Sequence, residues 1–305
     1  MYPHSIVTEG LQFPEGPIAM DDGSVIVVEI KAGRLTRVRP DGSKQVIATP
    51  GGGPNGAAIG PDGAIYVCNN GGFLWSEMDG LLLPGNAAAD YTTGRIERID
   101  IATGKVERLY DKVDGRNLSG PNDIVFDKDG GFWFTDLGKH HAHHTDHGGL
   151  YYALPDGSRI TCVVYGPHLN GVGLSPDGKT VYAATTHERT LLAFDVTGPG
   201  TVAPSPLAAV PGRVVTSWPG KTLLDSLAVE ANGNIAQATL IERAGICSVD
   251  PVTGAQEDFA FPDLLTTNIA FGGADMMDAW VCLSTTGKLA KCRWPRPGLR
   301  LNFNA

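Results

Sequence analysis

The sequence predicts an all-β protein, a six-bladed β-propeller of four-stranded antiparallel blades, on three observations. A ten-residue pattern recurs six times, a hairpin-turn signature stands at a fixed place in it, and the copies are spaced by about four short strands. The copies read PEGPIAMDDG from Pro14, PNGAAIGPDG from Pro54, PNDIVFDKDG from Pro121, LNGVGLSPDG from Leu169, LDSLAVEANG from Leu224 and TNIAFGGADM from Thr267.

The second residue of each copy is polar and bears an acceptor oxygen: Glu15, Asn55, Asn122, Asn170, Asp225 and Asn268. Seven residues later comes Asp22, Asp62, Asp129, Asp177, Asn232 or Asp275, followed at once by glycine in the first five copies. Asp-Gly and Asn-Gly supply the positive φ of a tight hairpin, so each copy reads as a strand and the turn that ends it. A second, more apolar strand follows: SVIVVEI, AIYVCNN, GFWFTDL, TVYAATT, NIAQATL and AWVCLST. A third run of alternating character comes next, usually opened by glycine, as in GRLTRVRP and GRIERIDI, and a fourth run closes most units.

The acceptor residues are 40, 67, 48, 55 and 43 residues apart, near the usual length of a blade. A β-sandwich or a β-solenoid would share the hairpins but has no need of a recurring four-strand unit. One terminus must close the ring, with either SIVTEG or GLRLNF supplying the outer strand of the last blade.

The 305 residues are expected to form a single domain, because the repeat runs from Glu15 almost to the end without a linker. Forty glycines and 21 prolines serve the turns, and two insertions break the pattern: residues 71–93, with FLWSEMDGLLLPGN, and residues 140–147, HHAHHTDH. A net charge of −9 argues against a nucleic-acid partner. The sequence has no basic-then-apolar amino terminus and no apolar stretch of membrane-spanning length, so no membrane partner is expected. The five cysteines, Cys68, Cys162, Cys247, Cys282 and Cys292, are odd in number and lack C-x-x-C spacing. They read as buried thiols of a cytoplasmic protein; oligomeric state is not legible.

In a propeller the innermost strands line a central shaft, so the six acceptors should form a ring. Two carboxylates and four amides, without histidine or cysteine, are ligands for a hard divalent cation. Each taken alone reads as a turn cap. Acids at Glu15 and Asp225 tip the balance, since carboxylates beside a narrow tunnel are costly without a cation. Asn55 and Asn268 are expected to be turn formers only.

FPEGP at 13–17, PNDIVFDKDGGFWFTD at 121–136, LNGVGLSPDGKTVYAAT at 169–185 and LDSLAVEANGNI at 224–235 resemble the senescence marker protein/gluconolactonase family over nearly the whole chain. The resemblance implies a six-bladed propeller with one catalytic divalent metal in the shaft, acting on a small-molecule lactone or, in some relatives, a phosphotriester. Its metal ligands fall on Glu15, Asn170 and Asp225, with Asn122 as a fourth ligand or a substrate contact.

Two details are similar to the calcium-dependent, drug-responsive lactonase branch: Ser226 after Asp225, and FTD placing Asp136 fourteen residues after Asn122. In that branch the FTD aspartate is the proposed catalytic carboxylate. The resemblance therefore implies Ca²⁺ ahead of Zn²⁺, Mn²⁺, Mg²⁺ or Fe(II). The aldonolactonase branch has Pro-Asp-Gly where this chain has Leu224-Asp225-Ser226, which turns the expectation away from gluconolactone itself.

The expected chemistry is attack on the lactone carbonyl by a water that Asp136, or else Asp225, deprotonates. Phe132, Trp133 and Phe134 would raise the pKa of Asp136 toward that of a useful base; a strand-end cap is the competing reading. Arg116 and Asn117 fall where some family members place substrate-binding residues. His187, Trp218 and a lid formed by the first insertion are lesser candidates. The histidine run reads as a loop that binds metal by composition alone. A phosphotriesterase with identical ligands and a non-enzymatic calcium-binding propeller are the alternatives, and a metal-free synthase-like propeller of the strictosidine synthase kind ranks behind them.

Overall fold

The computed structural model describes residues 1–205 and 211–304. Six antiparallel sheets follow one another around a ring as blades. Blade I pairs Pro14–Ala19, Val25–Glu29, Arg34–Val38 and Lys44–Ala48 in that order from the centre outward. Blade II uses Pro54–Ile59, Ile65–Asn69, Arg95–Ile99 and Val106–Tyr110, and blade III uses Pro121–Phe126, Phe132–Asp136, Gly148–Ala153 and Ile160–Gly166. Blade IV runs Leu169–Leu174, Thr180–Thr185, Thr190–Gly198 and Arg213–Ser217, with Thr201–Val202 as a short extra strand. Leu223–Val229, Ile235–Leu240, Gly245–Val249 and Gln256–Ala260 make blade V.

Blade VI combines Thr266–Gly272, Asp278–Leu283 and Lys288–Arg293 with the amino-terminal strand Ser5–Thr8, so SIVT closes the ring. The carboxy-terminal tail has another place. It crosses the turn end of the shaft, where Leu299 N donates to Val229 O (2.8 Å) and Asn302 Nδ2 to Phe126 O (3.0 Å).

The apolar strands are buried on both faces, and alternation within a strand divides its side chains between two neighbouring blades. Val25 and Val27 join Trp280, Cys282 and Leu289 of blade VI, whereas Ile26 and Val28 join Ile59, Ile65 and Val67 of blade II. The same division yields six apolar clusters, one between each pair of adjacent blades. Each fully buried aliphatic side chain contributes roughly 1.5–3 kcal/mol, so these interfaces hold the ring shut. Among the described residues no helix is long and apolar enough to cross a membrane. All five cysteines are unpaired, and all but the half-buried Cys162 are buried.

Two features position the shaft residues. Every innermost strand carries a break in register at its start, between 15 and 18, 54 and 57, 121 and 124, 169 and 172, 224 and 227, and 266 and 268. An irregularity of this kind re-aims a side chain, and here it falls beside the acceptor residue in all six blades. Glycine then lets neighbouring strands approach at the axis. A Cβ on Gly16, whose φ is +48°, would stand 2.4 Å from Asn55 O, and one on Gly56 would stand 2.5 Å from Asn122 O.

Candidate metal centre in the shaft

At the mouth of the shaft the inner strands bring Glu15, Asn55, Asn122, Asn170, Asp225 and Asn268 together as a ring; five are buried and Asp225 is half-buried. Glu15 Oε2 accepts from Gly16 N (2.6 Å) and from Asn268 Nδ2 (2.7 Å). Its other oxygen, Oε1, is buried with no partner, and so are Asn122 Oδ1 and Asn170 Oδ1. Asn170 is oriented by its own amide, which donates to Thr186 Oγ1 at 3.1 Å, and it lies in hydrogen-bond reach of Asp225. Buried acceptors without donors each cost about 1–3 kcal/mol, and oxygen acceptors left unpaired on one ring of inner strands are what a hard cation satisfies.

Asn268 has a larger part than the turn former expected from sequence. Its Oδ1 takes Ile269 N at 2.8 Å and its Nδ2 fixes Glu15. Asn55 is a buried member of the ring for which the structure gives no side-chain partner beyond its place there. Further support comes from Ser284 Oγ, which donates to Pro14 O (2.6 Å) and shares a hydrogen bond with Thr267 Oγ1 (2.6 Å).

One acid was missed in the sequence. Asp123, the residue after Asn122, is buried in the shaft wall and accepts Ile124 N (2.9 Å) and Val172 N (3.2 Å). Blades I, II and IV have glycine at this place, Gly16, Gly56 and Gly171. Lining up the copies one residue further would have exposed an acid among glycines.

The electrostatics of the three shaft acids agree. Burial pushes Asp123 up to about 8, with the charge of Glu15 adding to it. Glu15 is raised chiefly by burial, and Asp225 is raised well above its usual range by burial and then by Glu15. The charges acting on Asp123 and Asp225 are those of fellow carboxylates. Such a cluster is stable as anions only beside a cation. The residues present therefore fit a hard divalent ion, held by oxygen donors alone.

Asp136 stands one strand out from the ring, paired in register with Pro121. It ends the second strand of blade III, only 1% exposed, and accepts Ser119 N (2.8 Å), Gly120 N (2.7 Å) and Gly138 N (2.7 Å). Burial pushes it up to about 6 against those three donors and nearby Lys139. Its repeat equivalents do similar work. Asn69 Oδ1 takes Gly53 N (2.9 Å) and Gly71 N (3.0 Å), and Glu29 Oε2 takes Gln12 N (2.8 Å). Each ties the segment entering the innermost strand to the end of the second strand.

Arg116 and Asn117 are not brought to the ring either. They form half of a two-stranded ribbon, Lys112–Val113 with Arg116–Asn117, exposed but for the buried Val113, and the Arg116 guanidinium sits 4.4 Å over the Tyr165 ring. The first insertion forms a hairpin, Phe73–Met78 with Leu81–Ala87. It spans from blade VI, through Leu82 N to Thr285 O (3.0 Å), to the histidine loop, through Ala87 N to His140 O (2.8 Å). Lys139, almost wholly buried, supports it with Nζ 3.9 Å from the Phe73 ring centre and 2.8 Å from Asn70 O. His187 is next to Thr186 and 3.3 Å from His140, Nε2 to Nε2, while Trp218 is buried between blades IV and V.

Beyond the ring the shaft opens into a cavity of about 300 Å³, lined by Asp123, Val125 and Leu227 and bounded by Arg300 and Asn302 of the tail. It lies on the turn side; a second recess of about 430 Å³, lined by Tyr91, Arg116, Asn117, Asp146, His147 and Tyr165, opens beside the histidine loop. Of the six acceptors only Asn268 lines the shaft cavity.

Comparisons with known proteins agree with this architecture. A gluconolactonase from Xanthomonas campestris superposes with a TM-score of 0.74 at 21% identity, covering 95% of this chain and 89% of that one. Regucalcin from Agrobacterium tumefaciens does so with a TM-score of 0.74 at 18% identity, covering 98% of each chain. In sequence, the chain is 30% identical over 233 residues to lactonase drp35 of Staphylococcus haemolyticus, covering 75% of this chain and 64% of that protein. It is 24% identical over 206 residues to the gluconolactonase of Zymomonas mobilis subsp. mobilis, covering 60% of this chain and 52% of that protein. The chain thus spans between about half and two thirds of the length of these curated relatives. The profile of the SMP-30/gluconolactonase/LRE-like region matches residues 13–285, and the chain belongs to that family.

Proposed function

We propose that this protein is a lactonase dependent on one divalent cation, Ca²⁺ in preference to Zn²⁺, Mn²⁺, Mg²⁺ or Fe(II), that opens a small lactone to its hydroxy acid. The observation that carries this reading is the set of partnerless oxygens, Glu15 Oε1, Asn122 Oδ1 and Asn170 Oδ1, on the same ring of inner strands as Asp225, on which Glu15 and Asn170 act. Together these four residues would hold the ion. The relatives named lactonase and gluconolactonase supply the substrate class, and the regucalcin neighbour is described as a calcium-binding protein.

When bound, the cation supplies Lewis-acid polarisation of the lactone carbonyl and offsets the negative charge that develops on its oxygen. Asp225, half-buried beside Asn170, takes a proton from the attacking water as the water oxygen bonds to the carbonyl carbon. The ring C–O bond then breaks and the departing alkoxide recovers a proton from Asp225. Asn268 and Gly16 N hold Glu15 in place, Thr186 holds Asn170, and the hairpin Phe73–Ala87 roofs the mouth against water.

For Asp136 we propose positioning in place of the catalytic role that the FTD strand suggests. Three backbone donors take three of the roughly four acceptor sites of its carboxylate, and at 1% exposure it has little room for an attacking water. The test is a pH-indicator assay of metal-stripped protein on a panel of sugar and aliphatic lactones and a phosphotriester, with each of the five ions restored singly. Turnover of a lactone restored best by Ca²⁺ supports the reading. Turnover without any ion, or of the phosphotriester alone, overturns it.

A further inference from the structure

The histidine loop has a geometry of its own, independent of the shaft. Its ends are closed as a small hairpin: His140 and Thr145 form an antiparallel bridge, His141 N donates to His144 O (2.9 Å), and Asp146 N donates to Lys139 O (2.8 Å). His140 Nδ1 and Thr145 Oγ1 add a side-chain hydrogen bond of 2.9 Å. The rings of His141 and His144 lie nearly parallel, 12° apart with centroids at 4.3 Å. Both direct Nε2 at one carboxylate, His141 at 3.0 Å from Asp146 Oδ2 and His144 at 3.7 Å from Asp146 Oδ1.

We propose that His141, His144 and Asp146 form a second metal site, for a borderline transition ion such as Zn²⁺ or Co²⁺. Two imidazole nitrogens and a carboxylate oxygen from one short loop are the donor set such ions take, leaving a fourth position for water. The candidate ligand atoms already lie within 4.8 Å of one another, and ligands of a tetrahedral ion at ~2 Å stand ~3.3 Å apart. A small contraction of rotamers completes the site; the backbone is already closed.

The donors divide the two sites by chemistry. The shaft offers oxygen alone and selects a hard ion, whereas the loop offers nitrogen and selects a softer one. The loop ion would act on the mouth. Lys139 and His140, at the root of the loop, hold the hairpin Phe73–Ala87 through Phe73 and Ala87, and Tyr91 lies 5.8 Å from His141, ring centre to ring centre. A loaded site therefore stiffens the rim against which the lid rests.

The full-length protein, saturated with Ca²⁺, is titrated with Zn²⁺ by calorimetry and with Co²⁺ by visible spectroscopy. The expected result is one equivalent of each ion and a tetrahedral-type Co²⁺ band, unchanged in Glu15→Gln. His141→Ala/His144→Ala should abolish the band and weaken Zn²⁺ binding by more than the roughly 10–100-fold that loss of an outer-shell partner costs. His144 is exposed, so the single variant His144→Ala gives the same direction without risk to folding. Uptake that does not saturate at one equivalent, or that survives the double substitution, overturns the assignment. Loss of the site in Glu15→Gln overturns its independence from the shaft.

Discussion

Two buried glutamates of blade I, fourteen residues apart on adjacent strands, have opposite circumstances. Glu29 receives Gln12 N (2.8 Å), Arg34 Nε (2.7 Å), Arg34 Nη2 (3.0 Å) and Thr36 Oγ1 (2.5 Å). Burial pushes its pKa up, but these donors outweigh burial and hold it below the usual value. Glu15 has donors on one oxygen only, and burial leaves it raised. The same offset of fourteen separates Asn122 from Asp136. Burial is therefore common to both rings of polar residues, and the supply of donors distinguishes the two.

The largest effect that would break this comparison comes from Glu15→Gln set beside Glu29→Gln. Glu15→Gln should abolish tight cation binding and lower lactone turnover by about 10³-fold or more, on the scale of losing a principal electrostatic group. The metal-stripped protein should melt no lower than wild type, because the substitution removes a charge from a crowded acid cluster. Glu29→Gln should do the reverse: activity retained below the melting transition, and roughly 1–3 kcal/mol of stability lost with the charged hydrogen bonds. Calorimetric cation titration and thermal melts on both variants check this. If the two variants behave alike, donor count does not separate the rings.

Asp136→Asn sharpens the boundary. An amide keeps one acceptor oxygen and presents an N–H₂ group to backbone donors, so stability should fall by about 2 kcal/mol, the order of one unsatisfied buried group. Cation affinity should persist, and turnover at low temperature should fall by less than about tenfold, mainly through KM as the rim loosens. A loss of about 10³ in kcat with an unchanged melting temperature would restore Asp136 as the base.

Much of the fold was legible because it rests on local chemistry repeated six times. Asp-Gly turns and apolar second strands gave each hairpin, and the common offset gave the ring. What was not legible depended on contacts outside the repeated hairpin. Asp136 looked reactive in FWFTD because its neighbours are aromatic, but its donors come from Ser119 and Gly120, seventeen and sixteen residues earlier, and from Gly138. Asn268 looked like a turn former because its partner, Glu15, is 253 residues away, across the closure of the ring. The two candidate termini were equally strand-like; pairing of Ser5 with Lys291, and capture of the tail by Val229 and Phe126, decided between them.

Asn268→Ala tests that closing contact with a more modest effect. It deletes the donor to Glu15 Oε2 while leaving Oε1 in place. Cation affinity should fall by roughly 10–100-fold, as for the loss of a group that orients a ligand. Excess Ca²⁺ should rescue turnover. Failure of rescue at saturating Ca²⁺ would mean that Asn268 acts on the substrate and not through Glu15.

The last effect is a slope. In metal-stripped protein Asp123, raised from 3.8 to about 8, holds a proton that the unfolded chain releases, so stability should fall as pH rises across that window. The limit is about 1.4 kcal/mol per pH unit for one proton. Glu29, lowered from 4.5, has the opposite sign: its contribution is present above its unfolded value and is lost as pH falls through the folded one. Chelated protein should therefore be most stable near the acid end of the range and weaken toward pH 8. Ca²⁺, by holding the shaft acids ionised, should flatten the alkaline limb while leaving the acid limb of Glu29 unaltered. Melts from pH 4 to 9 with chelator and with Ca²⁺ distinguish the limbs, and an alkaline slope insensitive to Ca²⁺ would detach the shaft acids from cation binding.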